Sequence, residues 1–399
     1  MEKMITKIKA GLNGVNNTNV GLNLDVIIAT NCNFYLLYSG KGVGKSYAIR
    51  ERVFARFLQY NDEFVLVRRR EVDCKPSNIK KYFAKLDVKK LTNNEYDSIG
   101  VQSNEIYLCK NDNDNKPHRE RTIGYVISLA QFERFKGADY PYVSTIVNEE
   151  FISEYNDYIS DESTIFMKMI NTVFRPLTKG EYDTLSAAER ERYSRREVWL
   201  VGNTISRLCP YFRDFNLQNI LKQQPNTIDI YTYTYPNDID ELTNAPREVR
   251  LACWYIGENE NGNKKSHGFV FGKGYDSIVK GQWQCDIFPK LEYAYNDYKL
   301  IYEFIVKADV MFRVQLLQHN GEFTLYVFPH TNQYAKVKRV ITPEYSTSLY
   351  ISNMLYKSVE VEKYIISLIQ LNRIAYSDNL TGTEFQKYKN QIINGMFTI

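Results

Sequence analysis

The sequence has few cysteines, no close cysteine pair and no long apolar run. Its six cysteines stand at positions 32, 74, 109, 209, 253 and 285, so no C-x-x-C pair is present. Close cysteine pairs are the usual sequence sign of a zinc site or a redox-active disulfide. No apolar stretch approaches the roughly 18 residues of a membrane-spanning helix, and no secretory signal pattern is present. These absences predict a reduced cytoplasmic protein.

The sequence also lacks a strong excess of charge of either sign. Its formal net charge is +4 over 399 residues, so any contact with nucleic acid must come from a local cluster of basic residues. The hydrophobic content of 44% and the charged content of 25% are typical of a globular protein. The length predicts two or three domains, and we find no internal repeat.

The stretch from Asn33 to Arg70 carries the first motif. It combines a hydrophobic strand at 34–38, a glycine-rich turn, an amphipathic helix and a second strand at 63–67. That order is typical of the phosphate-binding loop of nucleotide triphosphatases, because glycines let backbone N–H groups turn toward the phosphates. The predicted nucleotide-binding residues are Gly40, Lys41, Gly42, Val43, Gly44, Lys45 and Ser46.

Within this loop, Lys45 is predicted to reach the β- and γ-phosphates, and the Ser46 hydroxyl is predicted to bind Mg²⁺. Ser39 stands where the usual G-x-x-x-x-G-K-[ST] pattern has its first glycine. An ordinary glycine-rich turn with a surface lysine is the alternative, and the flanking strand and helix favour the phosphate-binding loop.

Polar residues follow two further buried strands. Val143–Val147 is followed by Glu149 and Glu150, and 198–201 is followed by Asn203. In a nucleotide hydrolase, one acid after such a strand holds Mg²⁺ and its neighbour orients the attacking water. We therefore predict that Glu149 binds the metal, that Glu150 is catalytic and that Asn203 senses the γ-phosphate or the water. A solvated strand end and a plain turn asparagine are the alternatives.

Basic residues follow the strand at 63–67 and continue into the next predicted helix, 78–86. They are candidates for contact with DNA phosphates, since the carboxyl ends of the strands are where α/β proteins usually bind ligands. A solvated strand end with ion pairs explains them equally well. These candidate residues are Arg68, Arg69, Arg70, Lys75, Lys80 and Lys81.

The predicted fold class is α/β. The composition and hydrophobic pattern of the sequence change twice along the chain. We assign residues 1–225 to a P-loop ATPase domain with a mostly parallel sheet, 226–297 to a short linker domain with a helix after Asn244, and 298–399 to an α+β domain. In the last domain, alternating apolar residues predict a hairpin of strands at 311–317 and 323–328. A third strand at 334–341 and a helix at 360–373 follow.

Together the motifs resemble one family, the DNA-encapsidation ATPases of phi29-like tailed bacteriophages, which are related to large terminase packaging motors. The matching segments cover most of residues 34–217 in order. The run KGADYPYVSTIVNEEFI at 136–152 is far more specific than a phosphate-binding loop alone. The other segments are SGKGVGKSYA (39–48), FVLVRR (64–69), NTVFR (171–175), VGN (201–203), PYFRDFNL (210–217) and, more weakly, NGEFTLYV (320–327).

The resemblance implies an ASCE-type ATPase that uses ATP and Mg²⁺ to pull double-stranded DNA into a preformed capsid. It implies a homomeric ring, pentameric in this family, on the portal of the procapsid, with or without a structural RNA between them. Arg175 resembles the arginine finger that is offered to the neighbouring subunit's nucleotide, and Lys136 a second trans-acting cation. Lys41 matches the basic residue that these motors carry inside the glycine loop.

By the same resemblance the last domain is a ribonuclease-H-type nuclease fold that has lost its acids, so nuclease activity is not expected. The predicted strand at 311–317 contains no aspartate, whereas such a nuclease needs several carboxylates around two metals. Three features depart from the family pattern: Ser39, Glu149 in place of aspartate, and a charged insert at 178–196.

Two other classes use the same phosphate-binding loop. A nucleotide-dependent switch protein would bind ATP or GTP without processive work, and the paired Glu149 and Glu150 argue against it. A helicase would need a second set of helicase-type motifs, which we do not find downstream.

Overall fold

The computed structural model describes residues 2–9, 22–135, 137–153, 158–204, 209–217, 220, 223–257, 288–307, 311–330, 340–342, 351–352 and 360–397. These residues form two compact units, each built on one sheet. The first lies mainly within Met1–Ile205 and Asn219–Val270, and the second mainly within Ser206–Gln218 and Trp283–Ile399. In the described ranges, no helix is both long and apolar enough to cross a membrane.

The sheet of the first unit has ten strands and is parallel at its centre. Its order is β1-β9-β10-β2-β8-β7-β3-β6-β5-β4. The six strands from β10 to β6 pair in parallel, and the strands at both edges pair antiparallel. The predicted α/β class with a mostly parallel sheet is therefore confirmed for this unit. The strands are β1 (Glu2–Lys9), β2 (Phe34–Ser39), β3 (Glu63–Arg68), β4 (Ser98–Gln102), β5 (Glu105–Asn111), β6 (Pro117–Ser128), β7 (Val143–Glu149), β8 (Glu197–Asn203), β9 (Thr227–Asp240) and β10 (Ala245–Tyr255).

Helices and 3₁₀ turns connect these strands. The helices are α1 (Asp25–Ile28), α2 (Lys45–Tyr60), α3 (Pro76–Phe83), α4 (Val88–Leu91), α5 (Glu162–Val173), α6 (Lys179–Thr184) and α7 (Ala187–Ser194), with 3₁₀ turns at Glu71–Cys74 and Leu129–Phe135.

The apolar pattern of the sequence explains β2 and α2. Residues 35–38 are all buried, as expected of a central parallel strand that is covered on both faces. Along α2, Ile49, Val53 and Phe57 recur at helical spacing and belong to the main core. The helix ends at Asn61, which adopts the left-handed conformation with φ 58°, a conformation that asparagine tolerates better than most residues.

The predicted linker domain overlaps the first unit. Strand β10 pairs in parallel with β2, from Leu251 opposite Phe34 to Tyr255 opposite Tyr38, so this part of the predicted linker completes the ten-stranded sheet. The helix predicted after Asn244 is wrong, because the chain there is β10. The continuous apolar run Leu251–Tyr255 is buried in the sheet, and this burial outweighs the local turn signal of Asn244 and Pro246.

The charged insert at 178–196 forms α6 and α7, and each helix begins with a capping box. Thr178 pairs with Glu181, and Ser186 pairs with Glu189. The insert is anchored where α7 ends, because Arg195 binds the buried carboxylate of Asp62 at 2.9 Å.

The second unit holds a six-stranded sheet in the order β15-β14-β11-β12-β13-β16. Strands β11, β12 and β13 are antiparallel neighbours, while β14 pairs in parallel with β11, and β15 with β14. The strands are β11 (Lys299–Lys307), β12 (Met311–His319), β13 (Glu322–Pro329), β14 (Val340–Thr342), β15 (Ile351–Ser352) and β16 (Ile374–Tyr376). The helices are α8 (Pro210–Asp214), α9 (Glu360–Gln370) and α10 (Asn379–Phe397), with a 3₁₀ turn at Tyr295–Asp297.

The predicted hairpin of the second unit is confirmed as β12 and β13. Its two-residue turn, Asn320 and Gly321, has positive φ at both positions, the conformation that matches the twist of a hairpin. Strand β11 was not predicted. Of the strand predicted at 334–341, residues 334–339 lie outside the described residues, and β14 begins at Val340.

Candidate nucleotide-binding site

The carboxyl ends of β2, β8 and β7 meet at one edge of the ten-stranded sheet. Because these strands are parallel neighbours, Ser39 lies opposite Asn203, and Glu149 lies opposite Val201. The residues that follow the three strands are therefore brought together by the sheet, although they are far apart in sequence. This edge is where α/β proteins commonly bind ligands.

The glycine loop turns directly from β2 into α2. Gly42 and Gly44 have φ of 87° and 94°, a left-handed conformation that side chains other than glycine adopt at a cost. The 16-residue helix α2 begins at Lys45. Its first N–H groups have no acceptor within the helix, and together with the helix dipole they favour an anion at this end.

The Lys45 side chain is buried at the centre of the site. Its Nζ donates hydrogen bonds to Ser39 Oγ at 2.6 Å, to the Gly40 carbonyl at 2.9 Å and to Asn203 Oδ1 at 3.1 Å. Burial lowers the pKa of Lys45 to about 8, although the charge of Glu149 opposes the shift. The ammonium group is thus held by neutral oxygens between the loop and the end of β8.

Glu149 is buried beside the start of α2, with 5% of its surface exposed. The Ser46 hydroxyl donates to Glu149 Oε2 at 3.0 Å, and the Tyr82 hydroxyl donates to Glu149 Oε1 at 2.8 Å. Burial raises the pKa of Glu149, while the hydrogen bond from Tyr82 and the charge of Arg68 lower it. A carboxylate and a hydroxyl, both hard oxygen ligands, therefore face each other across the loop.

Glu150 is the next residue, and its side chain is 70% exposed. The residue adopts φ 61°, and its N–H donates to the Val201 carbonyl at 2.8 Å. Arg68 Nη2 lies 3.8 Å from Glu150 Oε2. The change of backbone conformation after β7 turns Glu150 away from the buried surroundings of Glu149.

The residues of this edge are suited to Mg²⁺ and a nucleoside triphosphate. Ser46 Oγ and Glu149 offer the oxygen ligands that Mg²⁺ prefers. In the part of the chain that the structure describes, no group of three or more His, Cys, Asp and Glu residues could hold a metal. A magnesium ion bound here would take its remaining ligands from the nucleotide and water, as is usual for Mg²⁺ at phosphates.

A family model matches most of this chain. Residues 20–319 match the model of the podovirus DNA encapsidation protein (Gp16). The chain belongs to the podovirus DNA encapsidation protein family. The resemblance drawn from the motifs is thereby confirmed.

Individual relatives agree with this membership of the encapsidation family. The chain is 26% identical to the DNA packaging protein of Bacillus phage phi29 over 261 residues, which is 61% of this chain and 69% of that protein. It is 25% identical to the DNA packaging protein of Bacillus phage B103, over 61% of this chain and 71% of that protein. In structure, it is similar to a chain of the bacteriophage phi29 viral genome packaging motor assembly, with a TM-score of 0.56 and 19% identity, covering 93% of this chain and 99% of that one.

In this member of the encapsidation family, the structure places some predicted site residues together and others apart. Lys45 donates to Asn203, and Ser46 donates to Glu149, so these four residues lie at the same edge of the sheet. Lys41 is exposed in the loop. Arg175 follows α5 with 77% of its side chain exposed, and its Nη2 lies 3.8 Å from Glu181 Oε1. Lys136 lies outside the described residues.

Arg69 differs from the other predicted DNA contacts. Its Nε donates to Glu162 Oε2 at 2.8 Å, and its Nη2 donates to the carbonyl oxygens of Glu150 and Phe151. Its guanidinium also lies over the Tyr158 ring, 4.9 Å from the centroid. With only 14% of the side chain exposed, Arg69 is committed to holding the turn after β7 against α5. These contacts favour a structural role for Arg69, and its DNA contact stays a prediction.

The other basic residues divide between the site and the surface. Arg68 is 18% exposed, its Nη2 lies 3.8 Å from Glu150 Oε2, and its charge lowers the pKa of Glu149, so it lies beside the candidate nucleotide site. Its predicted DNA contact stays a prediction. The exposed members are Arg70, Lys75, Lys80 and Lys81.

Two residues of the site carried no signal in the sequence. Tyr82 of α3 binds Glu149. Arg50 of α2 donates from Nε to the Ser46 carbonyl at 2.8 Å, donates from Nη1 to the Tyr82 carbonyl, and lies 4.7 Å from the centroid of the Tyr82 ring. Neither residue belongs to a phosphate-loop motif, and both contacts depend on the packing of α3 beside α2.

Proposed function

We propose that this chain is the ATP-driven motor that moves viral double-stranded DNA into a preformed procapsid. One observation carries the proposal: after a glycine loop, a group of four residues is held in two hydrogen-bonded pairs, Lys45 with Asn203 and Ser46 with Glu149, in a chain of the podovirus DNA encapsidation family. Phosphoryl transfer requires positioning and neutralisation of charge more than covalent chemistry, and this group supplies both.

Each residue of the group has a proposed task in ATP hydrolysis. Lys45 holds the β- and γ-phosphates, while Ser46 and Glu149 hold Mg²⁺. The bound ion would neutralise charge that develops on the phosphate oxygens. Glu150, which is exposed beside the site, orients and deprotonates the attacking water, and Asn203 senses the γ-phosphate from the end of β8. The glutamate at 149, in place of the usual aspartate, lengthens the metal-binding side chain by one methylene.

We further propose that ATP hydrolysis is completed by a neighbouring subunit in a homomeric ring, pentameric as the family resemblance implies. The exposed Arg175 is accessible to a second copy of the chain, which supports a role as the arginine finger. Lys136 is proposed as a second trans-acting cation. A finger supplied in trans makes hydrolysis in one subunit depend on the position of the next.

DNA contact is proposed for the exposed cations near α3. Contacts to phosphates carry no sequence information, so they suit a motor that must accept any sequence. Arg70, Lys75, Lys80 and Lys81 form this basic surface, which lies beside the nucleotide site because α3 also carries Tyr82.

For the second unit we propose a ribonuclease-H-type fold without nuclease activity. The strand order β13-β12-β11-β14-β15, with three antiparallel strands followed by two parallel ones, supports this fold. The carboxylate of Glu303 on β11 is engaged by Arg313 at 2.7 and 2.8 Å and by Gln315 at 3.0 Å. A carboxylate bound in this way has a guanidinium where a nuclease would need a metal.

The motor is proposed to act in the host cytoplasm, at the vertex of the procapsid, on the portal and with or without a structural RNA. The division into an ATPase domain at 1–225, a linker domain at 226–297 and an α+β domain at 298–399 stays a prediction.

ATP turnover measured with and without duplex DNA across a salt series tests the proposal. We expect stimulation by DNA at low salt that declines as salt rises, since phosphate contacts release counterions. ATP turnover that duplex DNA leaves unchanged at low salt would remove the motor function.

A further inference from the structure

Helix α3 carries exposed cations and, next to them, a contact with the nucleotide site. Lys80 and Lys81 are exposed, while the following residue, Tyr82, donates its hydroxyl to Glu149 Oε1 at 2.8 Å. The helix is only eight residues long, so two of the proposed DNA-contacting lysines and the tyrosine that donates to Glu149 belong to one short element.

The Glu149 carboxylate is held by one hydroxyl on each oxygen. Ser46 of α2 donates to Oε2 at 3.0 Å, and Tyr82 of α3 donates to Oε1. When the Ser46 oxygen turns to a metal ion, its hydrogen bond to Glu149 is lost or weakened. Among the described residues, Tyr82 then remains as the side-chain donor that fixes the orientation of the carboxylate. Residues that hydrogen-bond to metal ligands commonly orient them in this way.

Further contacts tie Tyr82 to its surroundings. The Arg50 guanidinium lies over the Tyr82 ring and donates to the Tyr82 carbonyl, and its Nε donates to the Ser46 carbonyl. The neighbouring Phe83 is 3% exposed and packs on Phe64 of β3 with 6.0 Å between ring centroids. A displacement of α3 would therefore change the distance from Tyr82 to Glu149 and disturb the start of α2.

We propose that Tyr82 is a positioning residue for Glu149, and that duplex DNA bound by the α3 lysines acts on the nucleotide site through it. The inference rests on the proposed ATPase function and names a route by which DNA regulates that site. It has two parts, a local one at Glu149 and a coupling between two surfaces, and each has its own measurement.

The local part is tested by binding of a fluorescent ATP analogue at varied free Mg²⁺ and in EDTA. Tyr82→Phe removes the hydroxyl and keeps the ring, and Tyr60→Phe, at a tyrosine of α2 that is 41% exposed, is the matched control. We expect Tyr82→Phe to require about tenfold more Mg²⁺ for the same nucleotide affinity, with unchanged affinity in EDTA. A Mg²⁺ requirement equal to that of the wild type would overturn the positioning role.

A double variant separates positioning from general packing. In a Glu149→Gln background, Tyr82→Phe should cause no further change in Mg²⁺-dependent nucleotide binding, because the carboxylate that it orients is gone. A further loss of the same size as in the wild-type background would show that Tyr82 acts by another route and would overturn the proposal.

The coupling part is tested by the ratio of ATP turnover with and without duplex DNA. In Tyr82→Phe we expect this ratio to fall close to one, while the Kd for DNA stays within about twofold of the wild type because the lysines are intact. A ratio equal to that of the wild type would overturn the coupling. Absence of stimulation in the wild type would overturn the motor function and the coupling together, whereas the Mg²⁺ measurement decides the positioning role alone.

Discussion

Glu149 and Glu150 follow each other in the chain but lie in opposite surroundings. Glu149 is 5% exposed and accepts hydrogen bonds from Ser46 and Tyr82, whereas the Glu150 side chain is 70% exposed beside Arg68. The left-handed backbone of Glu150 produces this separation. One buried acid next to the Ser46 hydroxyl and one acid open to water suit the different tasks of holding a metal and activating water.

Glu150→Gln should abolish ATP hydrolysis and preserve ATP binding. The amide cannot accept a proton from water, so we expect turnover to fall by about 10²–10⁴-fold, with Kd for ATP within about twofold. Turnover and nucleotide binding measured on the same preparation check this. As the control, Lys45→Ala should weaken both quantities. A Glu150→Gln enzyme with near wild-type turnover would remove the catalytic assignment.

Arg175→Ala should inactivate hydrolysis in a way that a second variant can rescue. A finger arginine contributes about 10³–10⁵-fold to turnover. Mixing Arg175→Ala subunits with Glu150→Gln subunits creates interfaces where an intact Arg175 meets an intact Glu150, so part of the activity should return. Arg247→Ala, at an exposed arginine paired with Asp238, should leave turnover unchanged. Mixed rings that assemble and stay inactive would contradict a role in trans.

Replacing Lys80 and Lys81 by glutamine should weaken DNA binding and its salt dependence. Each phosphate contact adds about 0.9 to the magnitude of the slope of log K against log salt. The magnitude of this slope should therefore be smaller by up to about 1.8 in the double variant. The matched control replaces Lys89 and Lys90, two exposed lysines on α4, with the same change of net charge. Equal effects of the two double variants would show a general effect of charge rather than contacts on α3.

Arg69→Ala should destabilise the fold without changing the salt dependence of the binding constant for DNA. The change removes the Arg69 guanidinium from the buried Glu162 carboxylate, and breaking such a pair costs about 3 kcal/mol in the free energy of unfolding. Urea denaturation measures this, with the exposed pair of Arg247 and Asp238 as the control, where Arg247→Ala should cost under about 1 kcal/mol. If the magnitude of the slope of log K for DNA against log salt fell by about one in Arg69→Ala, Arg69 would be a phosphate contact.

Glu63→Gln should stabilise the protein at alkaline pH. Burial raises the pKa of Glu63 from 4.5 to about 7, against the hydrogen bond with Tyr125 and the charges of Arg192 and Arg121. The folded state thus holds the proton more tightly than the unfolded state, so stability is lost as pH rises from about 4.5 through 7 and stays lower above it. The difference in the free energy of unfolding between Glu63→Gln and the wild type should be about 1–3 kcal/mol more favourable to the variant at pH 8 than at pH 4.

Urea denaturation from pH 4 to pH 8 gives the pH dependence for Glu63→Gln. Glu120→Gln, at an exposed glutamate, serves as the control and should show no such trend. A difference between Glu63→Gln and wild type that is constant across this range would contradict the shifted pKa.

The strand, loop and helix from Phe34 to Tyr60 could be predicted because their signals are local. Apolar runs, glycines and helical spacing all lie within one stretch, and the topology of parallel strands then placed Glu149 and Asn203 at the same edge. The roles of Arg175 and Lys136 came from the family resemblance, since an exposed arginine at a helix end has no signal of its own.

Strand β10 and the Tyr82 contact could not be predicted for different reasons. Pro246 after Asn244 indicated a helix start, and only the pairing of residues 251–255 with β2 shows that burial in the sheet decides otherwise. Tyr82 donates a hydrogen bond to an acid 67 positions away. The sequence contains 32 tyrosines, and no local pattern distinguishes the one that contacts Glu149. Such contacts depend on how helices pack, which periodicity does not specify.

Protection of DNA inside procapsids distinguishes a packaging motor from a protein that only binds DNA and nucleotide. Procapsids are mixed with the chain, duplex DNA and ATP, treated with DNase, and the protected DNA is measured by its length. We expect protected DNA of genome length with the wild-type chain and ATP, and none with Lys45→Ala. Procapsids that protect no DNA, while the same preparation hydrolyses ATP faster with duplex DNA, would show a nucleotide-dependent DNA-binding protein instead of a motor.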